Sequence, residues 1–105
     1  MSEQHYKAGT VTTAAAVEIG ITDTDKGFFH NTKQVEITAE GSNSLQIETR
    51  KKPGQAGTVP GYVVQVTISG ESVIIDMKDL DAIKLTASGG DVAYQVDAYN
   101  DSYKP

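Results

Sequence analysis

Ala82 to Val96, AIKLTASGGDVAYQV, holds two runs of alternating polarity on either side of Gly89-Gly90. A glycine pair accepts the positive φ angles that a two-residue hairpin loop demands, so the spacing predicts a β-hairpin with the glycines as its loop. In that register Ala87 faces Val92, Leu85 faces Tyr94 and Ile83 faces Val96, apolar against apolar. The intervening pairs, Thr86 with Ala93, Lys84 with Gln95 and Ala82 with Asp97, turn to the other face and are mostly polar. A slip of one residue would mix the two sets, so turn chemistry and burial pattern specify one register together. The stretch determines structure and says little about chemistry.

Two more ribbons repeat the pattern. A loop at Gly41-Ser42-Asn43 sets Ala39 opposite Leu45, Ile37 opposite Ile47 and Val35 opposite Thr49, with Glu36 and Glu48 turned outward to solvent. Gly70-Glu71, with glycine first as a type II′ turn prefers, sets Ile68 opposite Val73, Val66 opposite Ile75 and Val64 opposite Met77. Val63 and Ile74 make the reverse side of this ribbon partly apolar, so it is expected to be central and covered on both faces. Lys78 to Asp81 reads as a short turn. From Thr10 to Thr22, the odd positions Val11, Ala15, Val17, Ile19 and Ile21 read as a strand with one inner face.

Three successive hairpins plus one or two N-terminal strands predict an all-β chain of seven to eight strands. The architecture expected is an antiparallel β-sandwich with an immunoglobulin-like or jelly-roll-like arrangement. Residues 10–99 are expected to form the sandwich domain. The polar, aperiodic residues 1–9 are expected as a flexible N-terminal arm and residues 100–105 as a C-terminal tail.

Composition narrows the function classes. A chain of 105 residues is one domain, burying roughly 60 to 70% of the surface it exposes when unfolded. With two Phe and no Trp, the core must come mainly from Val, Ile, Leu, Ala and Tyr. A net charge of −5 disfavours nucleic acid and anionic membrane as partners, since both attract positive charge. The absence of cysteine excludes disulfides, thiolate catalysis and Cys-ligated metal. No apolar run approaches the roughly 18 residues of a membrane-spanning helix, and the polar start lacks an export signal, so synthesis and folding in a cytoplasm are expected.

Neither a catalytic nor a metal site is expected, and no cofactor. His5 and His30 lack the spacing of a metal pair. Asp23, Asp25 and Gly27 echo the opening of a calcium loop, but the glycine comes one position early and Gln34 stands where the bidentate glutamate belongs, so an ordinary Asp/Gly turn is the stronger reading. No nucleophile elbow or phosphate-cradling glycine loop is present.

The residues singled out for partner binding are Tyr6, Phe28, Phe29, Arg50, Lys51, Lys52, Tyr99 and Tyr103. Adjacent Phe28 and Phe29 would point to opposite sides of an extended chain, so one ring can enter the core while the other meets a partner. Arg50 to Gly61 holds two of the three prolines, three glycines and three of the nine basic residues. It is expected as a long exposed loop whose positive charge suits an anionic partner surface or a sugar phosphate.

As a short, acidic, cysteine-free all-β chain closing in SGESVIIDMKDLDAIKLTASGGDVAYQVDAYND (residues 69–101), the sequence resembles the small virion proteins of tailed bacteriophages, in particular head decoration or cement proteins. The resemblance is one of architecture and composition and assigns no site residues. It implies a non-enzymatic protein on the capsid surface that binds the major capsid protein or another virion protein, commonly as a homo-oligomer, and stabilises the shell. Tail, connector or fibre components share this look. The alternative class is a carbohydrate-binding module, for which the five tyrosines offer a thin stacking platform in the absence of tryptophan.

Overall fold

The computed structural model describes residues 4–20, 32–52 and 59–99. Eight strands fill most of them: β1 (Gln4–Val11), β2 (Val17–Ile19), β3 (Gln34–Glu40), β4 (Ser44–Lys51), β5 (Val63–Ile68), β6 (Ser72–Asp76), β7 (Leu80–Ser88) and β8 (Val92–Tyr99). They form two antiparallel four-stranded sheets, β1-β8-β3-β6 and β2-β7-β4-β5. The β-sandwich expected from the alternation is therefore the fold.

The connectivity differs from the expected hairpins. β7 and β8 lie in different sheets, as do β3 and β4, and β5 and β6. Each of the three bends is an arch that carries the chain across the core. None is a loop within a ladder. Among the described strands, only β4 and β5 are consecutive in sequence and paired in one sheet. The physical reason is a degeneracy of the pattern. A tight bend between two alternating strands turns the same side chains inward whether the strands pair side by side or face each other across the interior. Strand pairing follows a rule instead: β1 pairs with β8, β2 with β7, β3 with β6 and β4 with β5. This is one long double ribbon with β4 and β5 at its tip. It is rolled up so that β8 also joins β3 and β7 also joins β4, which is the eight-stranded jelly roll.

The inward faces agree with the alternation. Val35, Ile37, Ala39, Leu45, Ile47, Ile83, Leu85, Ala87, Val92, Tyr94 and Val96 are all buried in one cluster, joined by Val11, Ile19, Ile68, Met77 and Ala98. The ribbon expected to be central is the exception. β5 and β6 are edge strands, one in each sheet, and Val63, Val64 and Ile74 stay exposed. A bulge explains Val64: the β4–β5 register shifts between Ile47 and Glu48, leaving Gln65 as the extra residue on β5. Val64 is thereby placed beside Glu48 on the outer face. The displaced Gln65 amide donates to the Thr49 hydroxyl at 2.8 Å, which satisfies a threonine buried in the core.

The expected N-terminal arm also differs. Gln4 to Val11 forms β1 and pairs residue for residue with β8. Its polarity suits an edge strand, which shows one face to solvent. The strand expected over Thr10–Thr22 is split, with a bridge between Thr12 and Ala15 turning the chain before β2. The expected tail at 100–105 lies outside the described residues.

The three arches, residues 41–43, 69–71 and 89–91, meet at one end of the sandwich. Ser69 Oγ donates to the Ser42 carbonyl at 2.9 Å, and Asn43 Nδ2 donates to the Asp91 carbonyl at 3.2 Å. Gly89 and Gly90 have φ of +85° and +150°, and a Cβ on Gly90 would run into the Asn43 side-chain amide. Replacing both with valine is expected to destabilise the chain by about 2–6 kcal/mol, at about 1–3 kcal/mol per strained residue. Urea denaturation checks this, and unchanged stability contradicts the arch geometry.

Candidate basic groove

The end opposite the arches is where β3, β7 and the turn after β6 expose their polar residues. Strand pairing holds it closed from below. Lys33 N–H donates to the Tyr99 carbonyl at 2.8 Å, and Met77 N–H donates to the Lys33 carbonyl at 2.9 Å. The Lys52 N–H reaches the Asp79 carbonyl at 3.1 Å, which ties the end of β4 to the β6–β7 turn. That turn is closed by Leu80 N–H donating to the Met77 carbonyl at 3.1 Å and capped by Lys78 N–H donating to Asp76 Oδ1 at 2.9 Å.

Two adjoining concavities result. One of about 280 Å³ is lined by Lys33, Gln34, Asp76 and Lys78. The next, of about 320 Å³, shares Asp76 and Lys78 and continues over Lys51, Asp79 and Leu80. Together they make a groove with three lysine ammoniums and the carboxylates of Asp76 and Asp79; Lys51 ends β4, Lys33 is held by its backbone bonds to Tyr99 and Met77, and Lys78 sits in the turn after β6. None of the three is ion-paired to a described residue. The Oε1 of Gln34 is buried with no hydrogen-bond partner among the described residues. Asp76 already accepts a backbone N–H, so its charge is partly engaged within the protein. A groove of this kind suits a partner's carboxylate: the lysines supply charge, and polar complementarity fixes orientation and association rate more than raw affinity.

The outer face of the β2-β7-β4-β5 sheet carries a second polar constellation. Across its strands Glu18, Lys84 and Glu48 stand directly opposite one another, so charges of alternating sign meet on one row. Arg50 Nε lies 3.3 Å from Asp81 Oδ1, and the Tyr62 ring sits 5.8 Å from the Arg50 guanidinium and 5.6 Å from the Lys84 ammonium. The Tyr62 hydroxyl is buried and has no partner among the described residues. Burial pushes its pKa above the ordinary 10.0, Glu18, Asp81 and Glu48 add to the rise, and Arg50 opposes it.

The structure separates the residues singled out from sequence. Arg50 and Lys51 belong to β4 rather than to an exposed loop, because they continue the β4–β7 ladder. Arg50 is engaged by Asp81 and Tyr62 on the outer face, whereas Lys51 lines the groove. Lys52 follows at the groove's rim and is exposed. Tyr6 is 61% exposed on β1, with β8 between it and β3. Tyr99 turns to the face opposite Tyr94, yet it is only 5% exposed, so its ring is no open platform. Phe28, Phe29 and Tyr103, with Asp23, Asp25 and His30, lie outside the described residues, as does the side chain of His5. Lys33 and Lys78 are the groove residues that sequence reasoning missed. Each is a single lysine at a strand end, and only the jelly-roll pairing brings them to Lys51. Among the described residues no group of three or more His, Cys, Asp or Glu is placed to hold a metal ion.

No protein-family model matches this chain, and no curated protein matches it. Among solved structures, the crystal structure of the SPBc2 prophage-derived protein YomS is similar over 90% of this chain and 95% of that one, with 12% sequence identity and a TM-score of 0.47. At that level the likeness carries no inference about family or role.

The Tyr62 environment makes a test of this surface. The absorbance titration that Tyr62→Phe removes is expected to lie above pH 10, to move further up in Arg50→Met and to move down in Glu18→Gln. Because the folded chain holds this proton more tightly than the unfolded one, the associated stability is present below pH 10 and is lost as pH rises through the folded pKa. A difference titration at or below the ordinary tyrosine value contradicts the geometry.

Proposed function

We propose that this chain is a non-enzymatic structural protein of a tailed-bacteriophage virion, of the head decoration or cement kind, which binds the outer lattice of the major capsid protein and stabilises it. The observation that supports this reading is the lysine groove. In a chain of net charge −5, Lys33, Lys51 and Lys78 gather at one end, with Lys52 at the rim. This gives an otherwise acidic protein one orientation in which to approach an acidic protein surface. The jelly-roll architecture is compatible with this role, since viral capsid domains use it, but lectin domains and cupins share it, so the fold alone assigns nothing. The proposed location is the capsid surface.

The test is co-sedimentation with heads assembled from the major capsid protein encoded in the same genome. Binding is expected, weakening as salt screens the exposed lysines. The triple variant Lys33→Glu, Lys51→Glu, Lys78→Glu is expected to lose at least tenfold in affinity. It should remain folded, because substitutions at such exposed positions usually change stability by less than about 0.5 kcal/mol each. Failure to bind heads or any other virion part overturns the reading. Equal binding by a folded triple variant removes the groove from it. A glycan-array signal without head binding would favour the carbohydrate-binding class instead.

A further inference from the structure

Among the described residues the sandwich has four edge strands, β1 and β6 in one sheet and β2 and β5 in the other. An open edge is a template for another strand, and proteins blunt such edges with recognisable devices. β1 carries Lys7 on its inward row, opposite the core residue Val96. β2 is three residues long. β5 is bulged at Gln65. β6 has none of these. Its five residues, Ser72-Val73-Ile74-Ile75-Asp76, pair with β3 without a register shift, include no Pro or Lys, and have their one charge at the end. Ile74 is 40% exposed, and Val73 and Ile75 are half-buried although they face inward.

The backbone bonds fix which groups this edge offers. Glu71 C=O accepts from Ala39 N–H, and Met77 N–H donates to the Lys33 carbonyl, both toward β3. In an antiparallel ladder, alternate residues direct both backbone groups to the same side. The odd-numbered residues of β6 therefore bond to β3. Ser72, Ile74 and Asp76 present N–H and C=O to an edge that no described strand pairs with.

We propose that a second copy of this chain occupies that edge, with the two β6 strands antiparallel about a two-fold axis at Ile74. The spacing is self-complementary. Ile74 meets its own copy, and Ser72 meets Asp76 of the other chain and the reverse. All three are pairs of outward-directed residues, so each can exchange both backbone bonds. Val73 falls opposite the copy's Ile75, which covers the half-exposed inward pair. The serine faces the aspartate, so no like charges are opposed, a point that matters for two chains of net charge −5. The three-residue arch at 69–71 holds β5 over the same side of the sandwich. The same two-fold sets the β5 edges antiparallel in the second sheet, with Val63 and Val64, 58% and 52% exposed, at opposite ends of the contact. The sheet becomes eight strands wide, and the contact is isologous and closed.

The inference does not rest on the lysines of the groove; the two surfaces share only Asp76, whose backbone serves the edge while its carboxylate accepts from Lys78 N–H. Sedimentation equilibrium with amide hydrogen exchange tests it. The parent chain is expected at twice the chain mass, shifting to monomer on dilution. The amides of Ser72, Ile74 and Asp76 are expected to gain protection with concentration, while those of Val73 and Ile75 stay protected throughout. Ile74→Pro removes only an outward donor and is expected to give a folded monomer. Ile74→Val is expected to remain dimeric. A monomer up to the solubility limit overturns the proposal, as does an oligomer whose amides at 72, 74 and 76 remain unprotected. If Ile74→Pro fails to fold, the exchange pattern of the parent chain still decides.

Discussion

Packing of one apolar seam between the two sheets is the constraint from which the rest of this structure follows. Alternate residues of all eight strands contribute, directly or at their ends, and the largest of them, among them Ile37, Ile47, Ile83 and Leu85, are fully shielded from water. Each such side chain contributes about 1.5–3 kcal/mol on burial, set against the entropy of ordering the strands that carry it. A seam of this kind needs a lid as well as a floor. The bends at 41–43, 69–71 and 89–91 supply both from consecutive segments, because three residues are enough to cross the roughly 10 Å between packed sheets.

Once consecutive strands face each other, their ladder partners must come from elsewhere in the chain, and the jelly roll is the result. The sequence states this only in part. Period-two alternation identified the inward residues of β3, β4, β7 and β8 and located the three bends, and with them the sandwich. It left undecided whether each bend stays within a sheet or crosses between sheets, because Leu85 and Tyr94 turn inward either way. Gly90 at φ +150° lies outside the range of a two-residue hairpin turn, but that angle is invisible in the letters GG. β1 was hidden by its polarity, since an edge strand with one wet face resembles an arm. The edge status of β5 and β6 was hidden for the opposite reason: Val63 and Ile74 look like residues that need a cover.

The surface follows the same logic. Arg50-Lys51-Lys52 drew attention as a run of charge, yet the run does not act as a unit. Arg50 turns outward to Asp81 and Tyr62, and Lys51 reaches the groove, joined by lysines that are 18 and 27 positions away in the numbering (51 − 33 and 78 − 51). Topology therefore makes the site, and composition only hinted that an acidic chain would hold its positive charge locally. The features that could meet other molecules are spatially distinct. The lysine groove lies at one strand end, the arches at the other, and the β6 edge along the side, touching the groove at Asp76.

Backbone NOE connectivities measured on the isotopically labelled chain test this account most directly. Cross-strand contacts are expected from Val96 to Ile37 and Lys7, and from Leu85 to Ile47 and Val17. Backbone contacts of Leu85 with Tyr94 and of Ala87 with Val92, the signature of a hairpin ladder closed by Gly89-Gly90, would contradict it.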